Sequence, residues 1–362
     1  MSRWSGASQP SSEVSWATRP SVAHSRNGGS AGRLLLRLRS LNSRFSHLPV
    51  RLLALLIFGS VFLGSPITVE AKTQAAKPYQ LAPYKDDLFK YANILDSQYD
   101  GDYLLVEYNR PRDLYARDVE RGTKVDPKYV SLDTQAVESE PSLDVGGHAI
   151  TYTAVGRSSG GAKAIVIFVH GLGTGRATGA NDWIHGGNFN RIKNLMMRND
   201  GVYLSASFSD FGSKGTAEIK ALVLAEASTS PGAPVFLACA SAGGNICWHL
   251  VRDPEVKPLL GGLIFLDSTM DTGYLKVAAA LAPGERVPIH ISNSQEDTIL
   301  GWKSQLQFFR DMKTAVPDYP IRFVLFTAGT HGISLRMTDW RVTLNWMLGL
   351  RPAQQNGKRR SN

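Results

Sequence analysis

The chain has 362 residues, 43% of them hydrophobic and 20% charged, enough for one large buried core or two small ones, and no internal repeat is visible. The net charge of +9 sits at the ends: residues 1–51 hold eight Arg against one Glu (+7) and residues 351–362 hold four cations (+4), leaving −2 for residues 52–350. No Lys/Arg cluster with interleaved aromatics occurs in that body, so no nucleic-acid partner is expected.

In chain order, residues 1–49 are rich in Ser and Arg, compatible with a transit peptide or with sequence upstream of a true start at Val50. An uncharged apolar run from Leu52 to Leu63 follows, then Gly64 and Pro66, then Val69-Glu70-Ala71 with small residues at the −3 and −1 positions. That is the layout of a secretory signal cut near Ala71, which predicts export to the periplasm or the extracellular space. The competing expectation is an N-terminal membrane anchor, since Leu52–Val69 is uncharged for 18 residues. Any contact with a membrane is expected only through this segment.

Residues 72–140 hold eight of the twelve tyrosines and many acids, and are expected to form an extension whose rings pack on the main domain. From about Pro141 to residue 350, strand and helix patterns alternate. Residues 148–156 alternate apolar and polar, and residues 162–171 form a continuous apolar, β-branched run. Helical spacing over 188–200 precedes a strand at 201–208, a helix at 215–228, a strand at 234–240 and a helix at 243–253. Strands at 261–269, 287–294 and 321–329 follow, with helices at 299–313 and 338–350, and a basic tail at 351–362 is expected to be disordered. Alternation of this kind predicts an α/β fold, with a mostly parallel central sheet and helices on both faces. Chemistry in such sheets collects at the carboxyl ends of the strands.

Three of those ends lead to Ser241, Asp297 and His331, and a fourth to His170-Gly171-Leu172-Gly173. Ser241 stands between Ala240, Ala242, Gly243 and Gly244, the small neighbours that a sharp strand-to-helix turn requires, with Cys239 where a glycine is usual. Ser241 is the candidate nucleophile, His331 its base and Asp297 the group that orients the imidazole. The backbone N–H groups of Leu172 and Ala242 are the candidate oxyanion donors. Glu296, Asp267 and Asp271 remain alternatives for the acid, His170 is expected to shape its loop, and Asp210 either touches substrate or forms a turn. His249 and His290 are expected to be surface or core residues.

Two cysteines, Cys239 and Cys247, cannot form a disulfide framework, so buried free thiols are expected, with a local bridge as the alternative. His170, His185 and Asp182 are too scattered for a metal site, and residues 157–163 lack the helix that a phosphate loop needs. Neither metal nor cofactor is expected.

The segments VHGLG (169–173), CASAGG (239–244), SQEDTIL (294–300) and GTHG (329–332) together resemble the α/β-hydrolase superfamily, in the order Ser, Asp, His. HGLG and SAGG look most like its phospholipase/carboxylesterase and acyl-protein thioesterase branch, and the chain is also similar to exported alphaproteobacterial hydrolases. The resemblance covers residues 141–350. It implies a serine esterase of small-molecule or lipid esters, with short-to-medium acyl carboxylic esters first and lysophospholipids or thioesters next. Large lids of this superfamily are usually inserted where this chain has only residues 270–286, so little or no lid is expected. The rival from another class is a non-catalytic binding protein on the same scaffold.

Overall fold

The computed structural model describes residues 79–351. The leader, the expected start at Val50, the signal-like segment and the tail beyond Arg351 lie outside the described residues. The main sheet contains β1 Ile94–Gln98, β2 Tyr103–Val106, β3 Glu138–Ser139, β4 Ser142–Val145, β5 His148–Gly156, β6 Ile165–Val169, β7 Val202–Ala206, β8 Val235–Ala240, β9 Leu260–Leu266, β10 Ile289–Ser294 and β11 Ile321–Phe326. Their order across the sheet is β1-β2-β11-β10-β9-β8-β6-β7-β5-β3, with β4 paired to β5. Pairing is parallel from β2 through β7 and antiparallel at both edges.

Strands β6, β8, β9 and β10 are buried along their whole length, as parallel strands covered on both faces must be. The two-residue period of a strand sends Ile165, Ile167 and Val169 of β6 into one layer and Val166 and Phe168 into the other. Helices α1 Asn188–Arg198, α2 Ser213–Thr229, α3 Gly244–Leu250, α4 Tyr274–Ala280, α5 Trp302–Ala315, α6 Ile333–Met337 and α7 Trp340–Gly349 then cover the sheet. Leu222, Ile246 and Phe309 from α2, α3 and α5 pack in the first layer, and Ile192 and Leu344 from α1 and α7 in the second. Each fully buried aliphatic or Phe side chain contributes roughly 1.5–3 kcal/mol, so the two layers together supply the main stabilisation of the sheet. This strand order, with helices on both faces, is the α/β-hydrolase fold. Between β9 and β10 lie only α4 and a short turn at Pro283–Glu285, so no lid-sized insertion occurs there. Among the described residues, no helix is long and apolar enough to cross a membrane.

The sheet continues across residue 140, where the sequence pattern suggested a boundary. Hairpin β1–β2 extends it beyond β11, with Tyr103 stacked on Phe323 at 6.1 Å. Among the other described residues of the tyrosine-rich segment, Asp86 and Ser131 bond α1, Asp118 bonds α6 and Leu81 bonds α7. Helix α1 therefore buries polar residues on its outer side: Lys193 reaches Asp182 at 2.7 Å, and Arg191 reaches Asp86 at 3.0 Å and Asp339 at 3.1 Å. Periodicity alone marks that side of α1 as solvated. It is covered because Asn190 and Asn194 donate to the carbonyl of Ser131 and draw the preceding chain across the helix.

Candidate active site

Strand β8 runs into Ser241, which has φ of 48° and turns at once into the Ser241–Gly243 turn and α3. A non-glycine residue in this left-handed conformation costs about 1–3 kcal/mol and is held only where its surroundings over-determine it. Two glycines make room for it. A Cβ on Gly243 would lie 2.6 Å from the carbonyl oxygen of His170, and one on Gly171 would lie 2.7 Å from the Cβ of Ser241. The loop after β6 thus passes directly against the serine.

The expectation of free thiols is overturned. Cys239 and Cys247 form a disulfide, with Cα atoms 6.5 Å apart, within the range such a bond spans. Sequence counting ruled out a framework of bridges, but one bridge needs only proximity, and the turn at Ser241 folds the first coils of α3 back against β8. Cys239 therefore occupies the usual glycine position because it clamps the turn. Replacing both cysteines by alanine is expected to lower the unfolding free energy by roughly 2–3 kcal/mol, read from denaturant midpoints. An unchanged midpoint would show that the bond does not constrain the unfolded chain.

The three residues from three strand ends form one hydrogen-bonded line. His331 Nε2 lies 3.0 Å from Ser241 Oγ, and His331 Nδ1 lies 2.8 Å from Asp297 Oδ2. The Asp297 side chain is fully buried and the His331 side chain is 24% exposed, so the acid is sheltered while the imidazole is partly open to solvent. The hydrogen bond with Asp297 raises the His331 pKa above its ordinary 6.5; burial opposes this, and the charges of Asp297 and Asp267 add to it. Burial pushes the Asp297 carboxyl up, but the bond to His331 and the N–H groups of Leu300 and Ile299 outweigh it and hold it below its ordinary value.

The alternative acids are engaged elsewhere. Glu296 pairs with Arg110 and accepts from the Gly329 N–H at 2.9 Å, Asp271 pairs with Arg252 at 2.7 Å, and Asp267 accepts both the N–H and the hydroxyl of Ser334 at 2.9 Å. Asp210 accepts from the N–H groups of Gly212 and Gly215, which makes it a turn residue. His170 stacks on Phe208 at 4.0 Å and its Nδ1 meets the Gly171 carbonyl at 3.0 Å, so it shapes its loop. His290 is buried in β10, where loss of solvent pushes its pKa down to about 3, and His249 is exposed on α3. Leu172 is 77% exposed on the loop beside Ser241, and Ala242 directly follows the serine in the turn. Among the described residues, no three His, Cys, Asp or Glu side chains are grouped to hold a metal ion.

Two contributors escaped sequence reasoning. Ser268 Oγ donates to the Ser241 carbonyl at 2.8 Å, and the Thr269 N–H does so at 3.2 Å. The Asp-Ser-Thr run that follows β9 is a signal that could have pointed to them, since short hydroxyl side chains readily bond nearby backbone.

No protein-family model matches the chain, and no curated protein matches it. Solved structures similar to it include a Pyrococcus furiosus esterase, at 14% identity and TM-score 0.44 over 64% of this chain and 98% of that one. A Coxiella burnetii α/β serine hydrolase homologue is similar at 13% identity and TM-score 0.42, over 57% of this chain and 96% of that one. A Xanthomonas campestris protein, described as a serine hydrolase without a lid, is similar at 12% identity and TM-score 0.39, over 59% of this chain and 94% of that one.

Proposed function

We propose that this protein is an exported serine hydrolase that cleaves carboxylic esters through an acyl-enzyme. The observation that carries the reading is the line from Ser241 Oγ through His331 to a buried Asp297, built at a strained turn. His331 Nε2 takes the hydroxyl proton as Ser241 Oγ attacks the ester carbonyl carbon, and Asp297, which stays ionised, stabilises the imidazolium. The N–H groups of Ala242 and Leu172 receive the developing oxyanion. The tetrahedral intermediate collapses, the proton passes from His331 to the leaving alcohol, and water repeats the sequence on the acyl carbon to free the acid and Ser241.

Short-to-medium acyl esters are the first substrate class, with lysophospholipids or thioesters next. The short connection between β9 and β10 supports an open crevice, and the exposed Leu172 and Ile299 on its loops offer apolar contact to an acyl chain. Export is supported by the signal-like layout ending at Ala71, and by a disulfide of the kind that persists in oxidising compartments. N-terminal sequencing of the native protein beginning at Lys72 would agree with cleavage; a start upstream of Leu52 would indicate a retained anchor.

The test of the reading is labelling of the purified protein by a fluorophosphonate probe, followed by an ester and thioester panel. A folded protein that takes no label would instead be the binding protein on a hydrolase scaffold. Because His331 must be neutral to accept the serine proton, kcat/KM is expected to fall as pH drops through a midpoint above 6.5. Asp297→Asn removes the main cause of the raised pKa, so its midpoint should move down; a midpoint indifferent to that change would exclude Asp297 as the partner of the imidazole.

A further inference from the structure

Strands β8 and β9 are neighbours in register, with Ala240 opposite Leu266, so the next residues, Ser241 and Asp267, emerge side by side. Both have left-handed backbone, with φ of 48° and 45°. An aspartate that is 1% exposed at such a backbone angle is costly on both counts, and the bonds around it show what holds it there. Its backbone N–H donates to the Ser292 carbonyl of β10 at 2.9 Å, and its two carboxyl oxygens take the N–H and hydroxyl of Ser334, three residues after His331, each at 2.9 Å. The next two residues, Ser268 and Thr269, hold the Ser241 carbonyl. The turn at residues 267–269 is therefore bonded to the nucleophile's backbone on one side and to the base-bearing segment on the other.

We propose that Asp267 is a positioning residue of the hydrolase site, which ties the His331 segment to the Ser241 turn. The proposal rests on the serine-hydrolase reading and adds a fourth side chain to it. The ionisable groups near Asp267 are Asp297, from the loop after β10, and His331, from the loop after β11; α6 faces it with Ser334. The Asp267 carboxyl is raised to about 7, chiefly by burial; the Ser334 bonds oppose this, the charge of Asp297 adds to it and that of His331 lowers it. Its negative form in turn raises the His331 pKa. Asp267 thus differs from Asp297, which bonds the imidazole directly.

Two substitutions test the tie. Asp267→Asn keeps the shape and one acceptor oxygen but cannot carry a charge, whereas Ser334→Ala keeps the carboxyl group and removes one bond to it. Fluorophosphonate labelling and full pH profiles would be measured on the wild-type protein and on both variants, with thermal melts to report folding. Asp267→Asn is expected to lower kcat about 10- to 100-fold with little change in KM and to move the acid midpoint of kcat/KM downward. Ser334→Ala is expected to lower kcat about 10-fold with little change in KM. A folded Asp267→Asn variant with wild-type kcat and midpoint overturns the proposal. So does an unfolded Asp267→Asn variant beside a Ser334→Ala variant of wild-type kcat, which would make the aspartate a folding residue only. Wild-type protein that takes no label removes the serine-hydrolase reading itself, and this proposal with it.

Discussion

Replacing Ser241 by alanine is expected to abolish fluorophosphonate labelling and to reduce ester turnover by about 10⁴-fold or more, with KM nearly unchanged. The size follows from chemistry, since without the hydroxyl oxygen no acyl-enzyme can form, and His331 is left to activate water against a carbonyl positioned for another attack. Stability should change little. The lost bond to His331 is partly exposed and worth only about 1 kcal/mol. Turnover and melting temperature, measured on the same preparation, decide the matter: persistent turnover in a folded variant would place the nucleophile elsewhere, and loss of folding would mean that the serine serves the turn itself.

The second large effect is one of stability and arises where the tyrosine-rich segment meets α6. Arg336 donates to Asp118 at 2.6 Å and 3.0 Å and to the Asp113 carbonyl at 3.0 Å, and the two paired side chains are 6% and 1% exposed. Beside them Arg117 is fully enclosed and donates to the Gly186 carbonyl; burial and the Arg336 charge lower its pKa to about 10. Asp118→Ala would leave two guanidinium groups facing each other in a place water does not reach. The expected cost is about 3–5 kcal/mol, read from denaturant unfolding. Asp118→Ala combined with Arg336→Met should cost distinctly less than Asp118→Ala alone, because the uncompensated charge goes with its partner. If the single variant loses under about 1 kcal/mol, that contact does not hold the segment in place. Helix α6 begins two residues after His331, so loosening it should also lower turnover.

Much of the candidate site was legible before the fold, and for a specific reason. Parallel strands buried on both faces must be nearly pure apolar runs, so residues 162–171, 234–240 and 261–269 stand out, and whatever follows them must lie at one edge of the sheet. Ser241 was marked further by its small neighbours, because a side chain at Gly243 would strike the backbone of β6. Asp297 was harder to choose, since Glu296, Asp267 and Asp271 share its chemistry and lie at the same edge. Only the path of the backbone separates them: Glu296 turns towards Arg110 and the Gly329 N–H, while Asp297 turns towards the imidazole.

The sequence by itself determined the strand and helix alternation, the edge at which chemistry collects and the order Ser241, Asp297, His331. These depend on local spacing and on residue size, which a linear chain displays. Tertiary structure alone decided three things: that residues 94–106 extend the sheet, that Cys239 meets Cys247, and that the polar side of α1 is buried. It also decided that Asp267 stands beside Ser241 and bonds the segment after His331. Each of these joins residues through the fold rather than through spacing, and the energy that settles it, the pairing of polar groups removed from water, is absent until the chain has closed around them.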